Sequence, residues 1–366
     1  MHQQSGSDQT LSSLHCYGYK DHFSHTESGH KVVSAMIIRL KQGVDPNSIN
    51  PLLGALHAVF VPNGVANLVV TPSSVRDLPE EFEPFTDQYQ VFDNDIQLAS
   101  SLYKERREVE LGPAVIGRDH QNTAVIIGPC SVESREQIRK SAELVKDLGL
   151  SILRAGSYKP RTSPYSFQGL AEEGLKLLEE VRSEFGIRII TEARDATHID
   201  EVIAFSDIIQ IGTKAMYDQG ILRKCGKTTK PVLIKRGFGS TLQDFVQAAE
   251  FVLSGGNPNV ILCERGIRTF ETRTRFTLDL CGVAWLKEHV NLPVVLDPSH
   301  AIGMAYGVPD LARACMAMGV EGLLIEVHPD PANAKSDPAQ QLNHQQFREL
   351  FVTLQELGNA LGLRIF

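Results

Sequence analysis

Residues 230–266 read KPVLIKRGFGSTLQDFVQAAEFVLSGGNPNVILCERG. KPVLIKRG at Lys230 and NVILCERG at Asn259 are short apolar runs that end in a charge pair and a glycine. Between them TLQDFVQAAEFVLSGG, from Thr241, is amphipathic and closes at glycines that can end a helix in a left-handed cap. Strand, helix, strand is the unit of a parallel sheet covered by helices. Outward from this stretch the unit repeats. TAVIIG from Thr123, SILRAG from Ser151, IRIITEA from Ile187 and DIIQIG from Asp207 precede it, and LPVVLDP from Leu292 and GLLIEVHP from Gly322 follow. SREQIRKSAELVKDLG and GLAEEGLKLLEEVRSEFG supply helices between the early strands. Eight such units in about 240 residues predict an α/β fold closed into a (β/α)8 TIM barrel, because a closed ring leaves no edge strand to protect.

Upstream the pattern is weaker. The first 30 residues are rich in Ser, His, Gln and Gly, with little periodic apolar content, and read as a disordered arm. VVSAMIIRL from Val32 predicts a strand, LLGALHAVF from Leu52 a helix and ANLVV from Ala66 another strand. Residues 31–110 are therefore expected to form a small α+β extension and 111–366 the catalytic barrel. The whole chain has 366 residues, with 36 Lys plus Arg against 44 Asp plus Glu and a formal charge of −8. That balance, with no long basic block, argues against nucleic acid as a partner. The six cysteines lack paired short spacings, which points to a reducing compartment. No apolar run resembles a secretory leader or a membrane span, so a cytoplasmic protein with no membrane partner is expected.

The polar residues gather just after the strands: Gly128-Pro129-Cys130-Ser131, Arg154, Glu192, Lys235-Arg236-Gly237, Glu264-Arg265-Gly266, Asp297-Pro298-Ser299-His300 and Glu326-Val327-His328. A barrel brings these ends to one rim, where active sites of this architecture lie. Taken singly, Cys130 reads as an inert buried thiol and His300 as a loop histidine. Cys130 follows strand one, His300 strand seven and Glu326 strand eight, with Asp337 in the loop beyond. Those strands are neighbours in a closed ring, so one thiolate, one imidazole and two carboxylates can converge on a divalent ion, Mn, Fe, Co or Zn rather than Ca or Mg. His328 is a second candidate. Arg154, Lys159, Arg161, Lys214, Lys235, Arg236, Arg265 and Arg268 crowd the same segments and suit an anionic substrate. Adjacent strand residues face opposite ways, so Lys235 and Arg236 cannot both be assumed to point inward. No Walker-type loop, dinucleotide fingerprint or GxSxG elbow is present.

GPCSVES at Gly128, LRAGSYKPRTSPYSFQG at Leu153, KPVLIKRG, ILCERGIRTFE at Ile261, LPVVLDPSHAIG at Leu292 and IEVHPDP at Ile325 together resemble the type I beta 3-deoxy-D-arabino-heptulosonate 7-phosphate (DAHP) synthases, relatives of the 3-deoxy-D-manno-octulosonate 8-phosphate synthases. The resemblance runs from about Thr123 to the C-terminus. It implies a metal-dependent condensation of phosphoenolpyruvate with erythrose 4-phosphate at the entry to aromatic biosynthesis, with Cys130, His300, Glu326 and Asp337 as metal ligands. It further implies that Arg154, Lys159, Lys214, Lys235 and Arg265 bind phosphoenolpyruvate and that Arg161 and Thr162 receive the aldose phosphate. Lys159, with a lowered pKa, is expected to deliver a proton. The family's N-terminal ferredoxin-like domain is expected here in degenerate form, and a homodimer or homotetramer as the assembly. Two motifs depart from the family. IGTKA replaces the usual IGARN, placing Lys214-Ala215 where Arg-Asn stands, and TRFTLDL places Phe276 where TRNTLDL has asparagine. Alternatives left open are a synthase for arabinose 5-phosphate or another aldehyde, and a barrel that binds or regulates without turnover.

Overall fold

The computed structural model describes residues 34–64, 66–159 and 163–366. The expected arm at residues 1–30 lies outside them, as do Arg161 and Thr162. The N-terminal strands are β1 (Ala35–Leu40), β2 (Val59–Val61), β3 (Leu68–Val70) and β4 (Thr86–Phe92), with helix α1 (Pro46–Leu56) after β1. They form an antiparallel sheet in the order β2-β3-β1-β4. Asp45 caps α1 by accepting from Asn47 N. The helix stops at His57, which adopts φ 53, so LLGALHAVF is helix only in its first half and its Val59–Phe60 end belongs to β2. A short 3-10 turn, Glu80–Phe85, precedes β4, where a split βαβ arrangement would have a second helix. Alternation along β1 sends Met36, Ile38 and Leu40 to a small core with Ile49, Val69 and Phe82, while Ile37 joins Val61, Leu68 and Phe92 in the main core.

The chain after this sheet is clamped to the barrel. Glu250 accepts the backbone N–H groups of Gln97, Leu98 and Ala99 at 2.7, 3.2 and 2.9 Å. Arg107 and Asn291 both donate to Leu98 O. Burial pushes the Glu250 carboxyl up to about 7 even though three N–H donors oppose the rise.

A hairpin of β5 (Glu108–Glu110) and β6 (Val115–Gly117) leads into the barrel strands: β7 (Asn122–Gly128), β8 (Ile152–Arg154), β9 (Arg188–Ala193), β10 (Ile208–Ile211), β11 (Val232–Lys235), β12 (Val260–Glu264), β13 (Val294–Leu296) and β14 (Gly322–Glu326). Each pairs in parallel with the next, and β14 closes on β7 from Gly322↔Ala124 to Glu326↔Gly128. Helices between the strands include α2 (Arg135–Asp147), α3 (Ala171–Phe185), α4 (Ile199–Phe205), α5 (Gln219–Cys225), α6 (Leu242–Ser254) and α7 (Leu280–His289). A short α8 (Pro298–Ile302), then α9 (Val308–Ala317) and α10 (His344–Ala360), complete the ring, and β15 (Arg364–Ile365) adds to β7 outside it. The fold is the expected TIM barrel. Of the helix ends expected to close at glycine, α3 stops at Gly186 with φ 65, whereas after α6 Gly255 stays right-handed and Gly256 takes φ 104.

The period-two alternation of the strands splits the core in two. Outward residues such as Val125, Leu153, Ile189, Ile209, Ile234, Leu262 and Leu323 meet the helices. Inward residues Ala124, Ile126, Ile152, Ile190, Ile208, Leu233, Ile261, Val295 and Leu324 fill the lower barrel, together with Val109, Leu111, Ala114 and Ile116 around the hairpin and with Phe366. The floor is thereby packed with apolar side chains. Among the described residues no helix is long and apolar enough to cross a membrane.

Candidate active site

Two residues further along the same inward face, five of the strands exchange an apolar side chain for a charged one. Above Ile152 stands Arg154, above Ile190 Glu192, above Leu233 Lys235, above Val295 Asp297 and above Leu324 Glu326, while Ile261 is followed by Cys263 and then Arg265. Lys235 therefore points inward and Arg236 does not. Lys235 Nζ lies 2.5 Å from Asp297 Oδ2. Arg236 turns to Glu264 and Asp279 at 2.9 and 2.8 Å and donates to Ser240 O. Of the rim cations, Arg236 is thus paired away from the centre by protein carboxylates.

At the β7 end, Gly128 has φ 145 and a Cβ there would come within 2.1 Å of Arg154 O, so only glycine lets the Cys130 loop lie against β8. Cys130 N donates to Gln341 Oε1 at 2.9 Å, and the Sγ lies 2.9 Å from Ser336 Oγ and 3.3 Å from Asp337 Oδ2. Asp337 takes φ 45, a left-handed conformation that aspartate tolerates better than most residues. Ligand atoms of Cys130, Glu326 and Asp337 all lie within 4.8 Å of one another. His300 is not part of that mutual cluster and approaches it through one member, with Nε2 3.4 Å from Glu326 Oε1. Its other nitrogen, Nδ1, sits 2.7 Å from Asp297 Oδ2, and Asp297 Oδ1 accepts His300 N as the N-cap of α8, which leaves Nε2 as the nitrogen turned toward the cluster. His328, the second candidate, faces Glu133 at 3.6 Å and its Nδ1 accepts from Asp330 N.

Burial, reinforced by the Glu326 charge, pushes the Cys130 thiol up to about 12. Burial alone would raise Glu326 and Asp337 too, but His300 with Arg154 in one case and His300 with Arg275 in the other hold them below the usual carboxylate values. Burial lowers His300, which leaves the imidazole neutral near pH 7. One thiol and two ionised carboxylates at this spacing, beside a neutral imidazole, fit a divalent cation, whose charge would also ionise the sulfur. Arg154 Nη1 donates to Glu326 Oε1 at 2.9 Å and to Pro129 O, and Gln340 bridges Arg275 to Glu326 with two 2.6 Å bonds.

Beside this cluster opens a cavity of about 290 Å³ lined by Lys159, Glu192, Lys214, Lys235, Arg265, Arg275, Phe276 and His300 among others. The structure gathers Lys159, Lys214, Lys235 and Arg265 here, with Arg154 beneath on Glu326. Lys159 Nζ donates to Cys130 O at 3.0 Å. Its pKa is raised, contrary to the expected lowering: burial alone would depress it, but Cys130 and Glu192 outweigh burial. Arg265, 3% exposed, has no hydrogen-bond partner for Nε or Nη1 among the described residues. A buried guanidinium with open donors is an anion site awaiting its anion.

Sequence reasoning assigned no task to three residues here. Asp297 joins Lys235 to His300, and its place before a proline at N1, three residues ahead of the histidine, is the N-cap signature that could have marked it. Arg275 and Gln340 leave no local signal, since their contact spans 65 positions.

A family model described as the DAHP synthetase I family matches residues 98–362. A phospho-2-dehydro-3-deoxyheptonate aldolase of Thermotoga maritima is 42% identical over 268 residues, 73% of this chain and 79% of that protein. The 2-dehydro-3-deoxyphosphooctonate aldolase of Thioalkalivibrio sulfidiphilus is 32% identical over 260 residues, 66% of this chain and 92% of its own. The crystal structure of the Thermotoga maritima heptonate aldolase (DAHP synthase) matches with a TM-score of 0.74 and 36% identity, covering 91% of this chain and 99% of that one.

Proposed function

The chain belongs to the DAHP synthetase I family, and from that premise we propose that this enzyme condenses phosphoenolpyruvate with erythrose 4-phosphate and water, giving DAHP and inorganic phosphate. The observation that carries the reading is the buried, unpaired Arg265 in a cavity shared with three lysines and adjoining the Cys130, Glu326 and Asp337 cluster. Arg265, Lys159, Lys214 and Lys235 take the phosphate and carboxylate of phosphoenolpyruvate, with Arg154 supporting from below, and Arg161 and Thr162 take the aldose phosphate.

Cys130, His300, Glu326 and Asp337 would hold Mn, Fe, Co or Zn, which when bound supplies Lewis-acid polarisation of the aldehyde. His300 would complete the set through Nε2, with Asp297 orienting the ring from Nδ1. As C3 of the enolpyruvate bonds to the aldehyde carbon, Lys159, protonated near neutrality, gives its proton to the aldehyde oxygen. Water adds at C2 and its proton restores Lys159. The hemiketal phosphate then loses its C–O bond to phosphate, the departing group taking the hemiketal proton, while Arg265 and Lys235 stabilise the growing charge.

Mixing the protein with phosphoenolpyruvate, each of the four metals and either erythrose 4-phosphate or arabinose 5-phosphate, then following phosphate release and product mass, tests the proposal. Turnover with the four-carbon sugar supports it, and its absence overturns it. The higher identity to the heptonate aldolase, 42% against 32%, favours erythrose 4-phosphate. The five described free cysteines support a reducing, cytoplasmic setting. A homodimer or homotetramer is the expected assembly, checked by mass in solution.

A further inference from the structure

Arg154, Arg236 and Arg265 are buried alike, at 2%, 3% and 3% exposure, but they are held differently. Arg154 is bonded to Glu326 and Pro129 O, and Arg236 to Glu264, Asp279 and Ser240 O. Arg265 has no carboxylate within salt-bridge distance among the described residues. What it has is a ring, with the Phe276 centroid 4.3 Å from its guanidinium carbon. Phe276 stacks in turn on Phe238 at 5.5 Å and 24°, and Arg268 covers Phe238 at 4.7 Å.

The ring is fixed from both sides of its own loop. Phe276 N donates to Ala301 O at 2.8 Å, and Ile267 and Thr277 exchange backbone bonds at 2.9 and 3.0 Å. Between Arg265 and Ile267, Gly266 takes φ 99, and a Cβ there would lie 2.7 Å from Phe276 Cβ. Only glycine lets the ring come this close. A carboxylate in place of the ring would occupy two N–H donors and cancel the charge. An aromatic face attracts a cation through its quadrupole and leaves the in-plane N–H groups free.

We propose that Phe276 is a positioning residue that holds Arg265 by its ring face, so that the donors stay open for a substrate oxyanion and the substrate, rather than the protein, neutralises the guanidinium. This rests on the enol phosphate reading of the cavity. Phe238, itself on the cavity wall, stacks on the ring.

The test is calorimetric binding of phosphoenolpyruvate to the full-length protein without aldehyde, comparing wild type, Phe276→Leu and Phe276→Tyr, with thermal melts to confirm folding. Removing the π face should weaken binding about 10-fold, and tyrosine, which keeps it, should stay within about twofold of wild type. In steady state the KM for phosphoenolpyruvate should rise while that for the aldehyde holds. Repeating Phe276→Leu in an Arg265→Gln background, which keeps a polar side chain but no cation for the ring, separates positioning from packing. A loss that shrinks there supports the proposal, and a loss of full size in both backgrounds overturns it, as does unchanged affinity in Phe276→Leu. Should Phe276→Leu fail to fold, Phe238→Leu, which removes the ring stacked on Phe276, should weaken binding about threefold, and no change would overturn the proposal. A wild type that binds no phosphoenolpyruvate at any of the four metals condemns the cavity reading itself, an outcome distinct from equal binding by wild type and Phe276→Leu.

Discussion

The floor and the rim of this barrel are built from the same strands, two residues apart, and they obey opposite rules. At the floor Ile152, Ile190, Leu233, Val295 and Leu324 interlock with the β5–β6 hairpin. One step up, on the same inward face, stand Arg154, Glu192, Lys235, Asp297 and Glu326. A single pleat repeat, about 7 Å of strand, separates the layer that stabilises the fold from the layer that carries chemistry. Floor contacts are apolar and complete, whereas the rim keeps a cation with open donors. Stability and activity should therefore respond to different substitutions.

The largest effect is expected from Arg265→Ala, which removes the open cation. kcat/KM for phosphoenolpyruvate should fall about 10³-fold, while the melting temperature holds or rises, because a desolvated charge without a partner is gone. Parallel loss of stability would blur the division. Cys130→Ala should weaken divalent metal binding at least ~100-fold in equilibrium dialysis, again with little change in melting. Unchanged stoichiometric binding would remove Cys130 from the ligand set. On the other side of the comparison, Ile116→Ala in the floor hairpin should cost about 2–4 kcal/mol in chemical denaturation, and kcat/KM at 25 °C should stay within about twofold of wild type.

The smallest effect sharpens the picture at a third place, the Glu250 clamp. Its folded pKa of about 7 stands above its ordinary 4.5. Between those values the native state keeps a proton that the unfolded state has lost, so this group's contribution to stability falls as pH rises from 4.5 through 7. The wild-type melting temperature relative to that of Glu250→Gln should thus decline by a few degrees from pH 5 to pH 8. A difference that stays flat would place the carboxyl in water.

Much of the barrel was legible because each strand advertises itself: a short apolar run, a polar ending, a helix before the next. The rim was legible as a set of endings but not as contacts. Pleat parity said that Lys235 and Arg236 could not both be assumed to face inward, and geometry decided that Lys235 goes in. The ligand quartet left out Asp297, which caps α8 with one oxygen and holds the His300 imidazole with the other, since that double role of one carboxylate is a three-dimensional matter. The expected lowering of the Lys159 pKa failed because it weighed neighbouring cations and not Cys130, Glu192 and Glu326. Glu250 gripping Gln97, 153 positions away, leaves no local trace at all. In the N-terminal sheet the helix reading ran four residues too far, the last two of them in β2, because Val59 and Phe60 continue the apolar pattern after His57 has turned the chain.

The packed floor turns the barrel into a vessel with a single mouth. Among the described residues the floor is filled by apolar side chains, so in the proposed reaction released phosphate exits past the cations that greet the next incoming molecule. Inorganic phosphate should accordingly compete with phosphoenolpyruvate for entry, and the order in which ligands come and go becomes a matter of traffic through one opening.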